Sequence, residues 1–183
     1  EISSYDGIEI LTNQNYELNK NSSLIEIKKN TFYNDLLLNI SYEDDTLDLG
    51  DDKDPFRKSM LIKLPQTITD TLEMRQSFIG RIKDNKITYI DSRNDDSYIY
   101  TNTSSLGKYI ISRDTLKPEI TPINFKHNSN ISNRSTIRLR LKDEMSGIKS
   151  YNAFLNGKWA LFEYEFKSNL IFHKISDNII NEG

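Results

Sequence analysis

Cysteine is absent from the 183 residues. That removes thiol nucleophiles, Cys-ligated zinc and disulfides together, and leaves the redox compartment open. Histidine is nearly absent too: His127 and His173 are the only two, 46 positions apart. A catalytic zinc needs at least three clustered ligands beside an open position, so no zinc site reads from this chain. Valine is missing and alanine occurs only at Ala153 and Ala160, against 24 isoleucines, a bias that AT-rich genomes encode. With Ala, the best helix former, so scarce, and Ile, Thr, Tyr and Phe plentiful, strands are expected. The seven glycines are scattered, which excludes a phosphate-cradling loop, and there is no G-x-S-x-G for serine catalysis. No apolar run approaches the ~20 residues of a membrane span, and mean hydropathy is -0.63. A formal charge of -3, from 24 Lys and Arg against 27 Asp and Glu, offers no field for a nucleic-acid backbone. The chain opens at Glu1 with neither an initiator Met nor a leader pattern, and reads as an excised piece.

What is present is period-two alternation. Leu36, Leu38, Ile40 and Tyr42 share one face, and Met60, Ile62 and Leu64 another, the signature of half-buried strands. Segments 78–82 and 87–91 flank Lys83-Asp84-Asn85-Lys86, a hairpin turn, and further strands are predicted at 8–12, 24–28, 98–102 and 108–112. Only 67–76 reads as a short helix, capped by Thr69 or Asp70. A polar joint ending in Pro118 divides the chain into modules 1–113 and 114–183. The second module opens with a strand at 136–142, in which Ile137, Leu139 and Leu141 alternate with Arg138, Arg140 and Lys142, before a turn at 143–147. Strands at 148–155 and 158–166, joined by the Asn156-Gly157 turn, and one at 170–175 follow. The fold class is therefore all-β: two tandem β-sandwich, immunoglobulin-like modules, the second incomplete at its C-terminus.

Each candidate for chemistry has a plainer reading. His127 and His173 read as surface or rim residues. The acidic stretch Glu43-Asp44-Asp45-Thr46-Leu47-Asp48-Leu49-Gly50-Asp51-Asp52-Lys53-Asp54 suits Ca²⁺ in carboxylate number. It lacks the ordered D-x-D-x-D-G spacing and reads as a solvated turn, as does Asp143-Glu144. Trp159, Phe162, Tyr164 and Phe166, with Tyr151 and Phe154, form either a sugar-stacking platform or a core. A module this short needs large side chains inside, so the core reading leads, with Trp159 buried beside the hairpin turn.

Several stretches are distinctive together: Ile27-Lys28-Lys29-Asn30-Thr31-Phe32-Tyr33-Asn34-Asp35, Ser105-Leu106-Gly107-Lys108-Tyr109, and Asp114-Thr115-x-x-Pro118-x-Ile120. With Asp143-Glu144-Met145-Ser146-Gly147-Ile148-Lys149-Ser150-Tyr151 and Leu155-Asn156-Gly157-Lys158-Trp159, the chain resembles the non-catalytic C-terminal β-sandwich region of lysostaphin-type (LytM-like) zinc metallopeptidases of Gram-negative bacteria. It departs from that family in Lys29, where a proline is usual, and in lacking the final strands. The resemblance implies a parent polypeptide that cleaves peptidoglycan cross-links with zinc held in a peptidase domain outside this chain. No catalytic, cofactor-binding or metal-ligating residue carries over, so the chain is expected to be no enzyme and to hold no cofactor. It implies a role in positioning or anchoring that domain, in the periplasm, at the outer membrane or outside the cell. Its partners would be its own peptidase domain, peptidoglycan or another envelope protein, with no nucleic acid and no membrane span. The rival readings are a free-standing adhesin or binding module for polysaccharide or protein, and an enzyme of unrecognised type.

Overall fold

The structure, a computed structural model, describes residues 7–175. It is all-β, in two compact units, Glu1–Thr115 and Leu116–Gly183. The first unit runs β1 (Ile8–Ile10), β2 (Tyr16–Lys20), β3 (Ser23–Ile27), β4 (Leu36–Leu38), β5 (Ser41–Glu43), β6 (Thr46–Asp48) and β7 (Met60–Pro65). A helix, α1 (Thr71–Gln76), leads into β8 (Ser77–Lys83), β9 (Lys86–Ile90), β10 (Arg93–Asn94), β11 (Tyr98–Thr103) and β12 (Lys108–Arg113). One antiparallel sheet has the order β10-β11-β7-β3-β2 and a second the order β5-β6-β12-β8-β9, with β1 and β4 as a separate ribbon.

Alternation sets the core. Met60, Ile62 and Leu64 of β7, with Ile25 and Ile27 of β3 and Ile99 of β11, point inward from the first sheet; Leu47, Ile79 and Tyr109 do so from the second. All lie in one apolar cluster, the definition of a sandwich interior. The hairpins close on two-residue turns at Asn21-Ser22, Asp44-Asp45 and Asp84-Asn85, each with positive φ at both residues. Such turns carry the right-handed twist of the strands they join, and Asn and Asp tolerate the conformation. The predicted helix exists as a single short piece. Asp70 Oδ1 accepts from Glu73 N at 2.9 Å as its N-cap, while Ser77 Oγ donates to Glu73 O at 2.7 Å where β8 takes over. Gly80 sits mid-strand for a packing reason: a Cβ there would lie 2.3 Å from Ile87 Cγ2. The bare backbone leaves room for the Phe78, Ile87 and Tyr89 side chains on that face.

The second unit contains β13 (Glu119–Pro122), β14 (Thr136–Lys142), β15 (Phe154–Leu155), β16 (Lys158–Trp159), β17 (Glu163–Glu165) and β18 (Leu170–Lys174). Its described residues make one four-stranded sheet, β13-β14-β18-β17, and the two-stranded ribbon β15-β16. In β14 the in-out pattern holds, with Ile137 and Leu141 buried and Arg138, Arg140 and Lys142 exposed. The long strands predicted at 148–155 and 158–166 are not formed. They shrink to the two-residue ribbon strands and β17, because the intervening chain lies over the sheet as irregular cover. Tyr151 Oη donates to Phe162 O at 2.7 Å, Ala160 N to Ala153 O at 3.0 Å, and Ala160 and Phe162 are buried. Asn156 and Gly157, with φ of +49° and +75°, make the expected turn.

Candidate binding surface

The acidic stretch resolves into turn chemistry. Asp44 and Asp45 are the β5–β6 turn, and Asp48 Oδ1 accepts from Gly50 N at 2.9 Å. Asp51 is bonded to Lys53, whose hydrogen bond and charge hold its carboxyl below the ordinary range. Asp52 does the most: Oδ1 accepts from Leu106 N at 3.1 Å, and Oδ2 receives Arg81 Nη2 at 2.6 Å. The same Arg81 nitrogen donates to Leu106 O at 2.9 Å. Among the described residues no three His, Cys, Asp or Glu side chains gather to hold a metal. Beside this loop lies an open cleft of about 770 Å³, walled by Leu37, Asn39, Asp48, Gly50, Lys53 and Leu106. Its lining mixes the charges of Asp48 and Lys53 with the apolar Leu37 and Leu106.

Asp52 is thereby tied to the corner between β11 and β12. Tyr109, wholly buried, sends its hydroxyl back to Ser105 O at 2.5 Å, with Thr103 Oγ1 at 2.9 Å. A tyrosine at the start of a strand, bonded to backbone a few residues upstream, is the corner device of Greek-key sandwiches. Burial pushes its phenol above the ordinary value of 10.0, and the Asp52 carboxylate adds to this, while the Thr103 bond and the Arg81 charge oppose it. The spacing Gly107-x-Tyr109 after a turn was the available signal for this corner.

The two histidines part company. His127 is exposed in its loop, as expected. His173 is 3% exposed on the inner side of β18, which overturns the surface or rim reading. Its Nδ1 lies 2.7 Å from Leu161 O, its ring stacks on Phe162 with centroids 5.3 Å apart, and Nε2 is buried without a hydrogen-bond partner among the described residues. Alternation in β18 puts His173 on the same face as Ile171; the sequence showed the strand but not which face was covered.

The aromatic set divides more sharply. Phe162 is core and Tyr151 and Tyr164 are half-buried, their rings 6.1 Å apart, edge to face. Trp159, expected inside, is 59% exposed, and its direct cross-strand partner Phe154 is 62% exposed. The correction has a geometric cause. The ribbon is only two residues long per strand, so it lacks the length to turn its face onto the sheet, and Ala160 and Phe162 take the inner positions instead. Leu161 and Phe166 are exposed as well. Phe154 and Trp159 thus stand opposite each other across a tight hairpin as exposed apolar area.

No curated protein and no solved structure matches the chain. Residues 10–114, the span of the first unit from its ribbon to the end of β12, match the Zu5-like domain. That match covers more than half of the sequence, and its two-sheet sandwich with a buried tyrosine corner is the part of the molecule with the larger core: the chain belongs to the Zu5-like domain family.

Proposed function

We propose that the chain is a non-catalytic accessory module of a cell-wall (peptidoglycan) zinc endopeptidase, holding a peptidase domain against its polymer from the envelope or outside the cell. The observation that carries a binding role is the exposed Phe154 and Trp159 pair on the Asn156-Gly157 hairpin. Two large aromatic side chains that stand directly opposite each other on a short hairpin, both more than half exposed, offer apolar contact area to a partner. The peptidase connection rests on the resemblance set out above, and the zinc chemistry belongs to the domain outside the chain. The first unit is the scaffold in this reading, rigid and closed.

The test is sedimentation of the full chain with purified peptidoglycan sacculi. The expected result is co-sedimentation that Trp159→Ala and Phe154→Ala each weaken by about tenfold or more, the size of effect seen for aromatic anchors at contact surfaces, with no loss of sacculus turbidity. Hydrolysis of sacculi by the chain alone would overturn the non-catalytic assignment, and binding indifferent to both substitutions would overturn the surface. A free-standing binding module shares the same aromatic pair. Reading the coding sequence upstream for H-x-H separates the two.

A further inference from the structure

Asn156-Gly157 is the one place in the chain where glycine follows asparagine. Both residues are exposed, both hold a positive φ, and a Cβ built on Gly157 would meet nothing within 4 Å. Among the described residues neither the Gly157 backbone nitrogen nor the Asn156 side-chain amide has a hydrogen-bond partner. Other asparagine amides are engaged. Asn15 Oδ1 accepts from Lys29 N at 2.7 Å, and Asn124 is bonded at both ends, Nδ2 donating to Thr136 O at 2.7 Å and Oδ1 accepting from Arg138 N at 2.9 Å. Asn21 and Asn85 also sit in turns, but Ser22 and Lys86 follow them with a Cβ beside the backbone nitrogen. Their hairpins are also longer, with five residues or more in each strand against two in β15 and β16.

We infer that Asn156 is a site of spontaneous deamidation, a modification whose co-reactant is water and whose main product is isoaspartate. Base removes the Gly157 N–H proton and the nitrogen attacks Asn156 Cγ. As the N–Cγ bond forms, the Cγ–Nδ2 bond breaks, and Nδ2 takes up a proton and leaves as ammonia. Water then opens the five-membered imide. Breaking its bond to Cγ gives aspartate, breaking its bond to the Asn156 carbonyl carbon gives isoaspartate, and neither step transfers an electron to or from an outside partner. Ring closure is intramolecular, so it needs only the approach of nitrogen to Cγ. That approach calls for rotation about the Asn156 backbone and χ1. Gly157 puts no side chain in the way, and a ribbon of two-residue strands opens locally because so short a hairpin is marginally stable. Isoaspartate then routes the main chain through Cβ and lengthens the turn by one atom. The two-residue loop that sets Leu155 opposite Lys158, and Phe154 opposite Trp159, no longer fits that register.

The test is peptide mapping of the full chain before and after warm incubation at mildly alkaline pH. The tryptic peptide 150–158, whose fragmentation separates Asn156 from Asn152, is expected to gain the mass of an amide-to-acid exchange at Asn156 before any other asparagine converts, at a rate that rises with hydroxide. An endoproteinase that cuts before aspartate and not before isoaspartate is expected to leave the larger share of the converted peptide uncut. Hydrogen exchange over residues 154–159 is expected to be faster in the aged fraction, isolated by its extra negative charge, than in fresh protein. The variant Asn156→Asp adds the charge, keeps the backbone and tolerates the same φ, so it is expected to exchange like wild type. Asn156 left intact while other asparagines convert overturns the site. Conversion to aspartate alone, an aged fraction that exchanges like fresh protein, or an Asn156→Asp chain that exchanges like the aged one overturns the loss of register through the lengthened backbone.

Discussion

The two units solve the same problem with different means. The first closes two five-stranded sheets over a cluster that includes Ile25, Leu47, Ile62, Ile79 and Tyr109, each with no measurable exposure. The second has one four-stranded sheet among its described residues, covered by irregular chain, and its buried apolar cluster there is Ile137, Leu141, Ala160, Phe162 and Ile171. The difference teaches that similar strand patterning can give an enclosed scaffold or a thin sheet with aromatic surface left over. What decides is whether a second sheet is there to receive the inward residues.

This contrast can be broken by experiment. The largest effect is expected from limited trypsin digestion: cleavage at exposed Lys126, in the loop after β13, should leave residues 1–126 resistant while the remainder is degraded, because few buried contacts protect it. Mass spectrometry of the surviving fragment decides; survival of the second unit in its place would reverse the comparison. Next comes Ile62→Ala, which leaves a cavity between the two sheets and should cost about 2–5 kcal/mol in denaturant unfolding.

Asp52→Ala deletes the carboxylate that joins Leu106 N and Arg81, and should cost about 1–3 kcal/mol. Tyr109→Phe should cost about 1–2 kcal/mol, since it leaves Ser105 O without its buried donor. Tyr109 also sets a pH dependence. Its raised value means the folded state holds the phenol proton more tightly than the unfolded chain. This contribution is complete below pH ~10 and lost as pH rises above it, because the unfolded chain then releases a proton that the fold retains. Alkaline titration of stability should show this loss in the wild type and less of it in Tyr109→Phe; a rise in stability above pH 10 would contradict the burial. The smallest effect is expected at Trp159→Ala, within about 0.5 kcal/mol of wild type, as for an exposed side chain. A loss of several kcal/mol would return Trp159 to the core.

Much of the first unit was legible. The alternation at Met60, Ile62 and Leu64 placed β7 with its buried face, and Asp84-Asn85 located the hairpin between β8 and β9, because period and turn chemistry are local. The strand β2 was not read: Tyr16–Lys20 carries polar residues on an edge, where alternation is weak, and Asn21-Ser22 is a less familiar turn pair. In the candidate site, the Asn156-Gly157 turn was legible and the exposure beside it was not. Turn residues report their own φ, whereas burial of Trp159 depends on what lies opposite.

By itself, the sequence determined the strand class, the Asp84-Asn85 and Asn156-Gly157 turns, the polar joint near Pro118 and the lack of cysteine and near-lack of histidine, since each follows from local propensity or from residues that are missing. Only the tertiary structure decided that Asp52 braces a tyrosine corner 54 positions away at Leu106, that His173 lies inside, and that Trp159 lies outside. Those outcomes hang on which distant segments meet. Hydrophobic burial is indifferent to which aromatic fills a gap, so Phe162 and Ala160 took the inner places by geometry and left the hairpin rings to solvent.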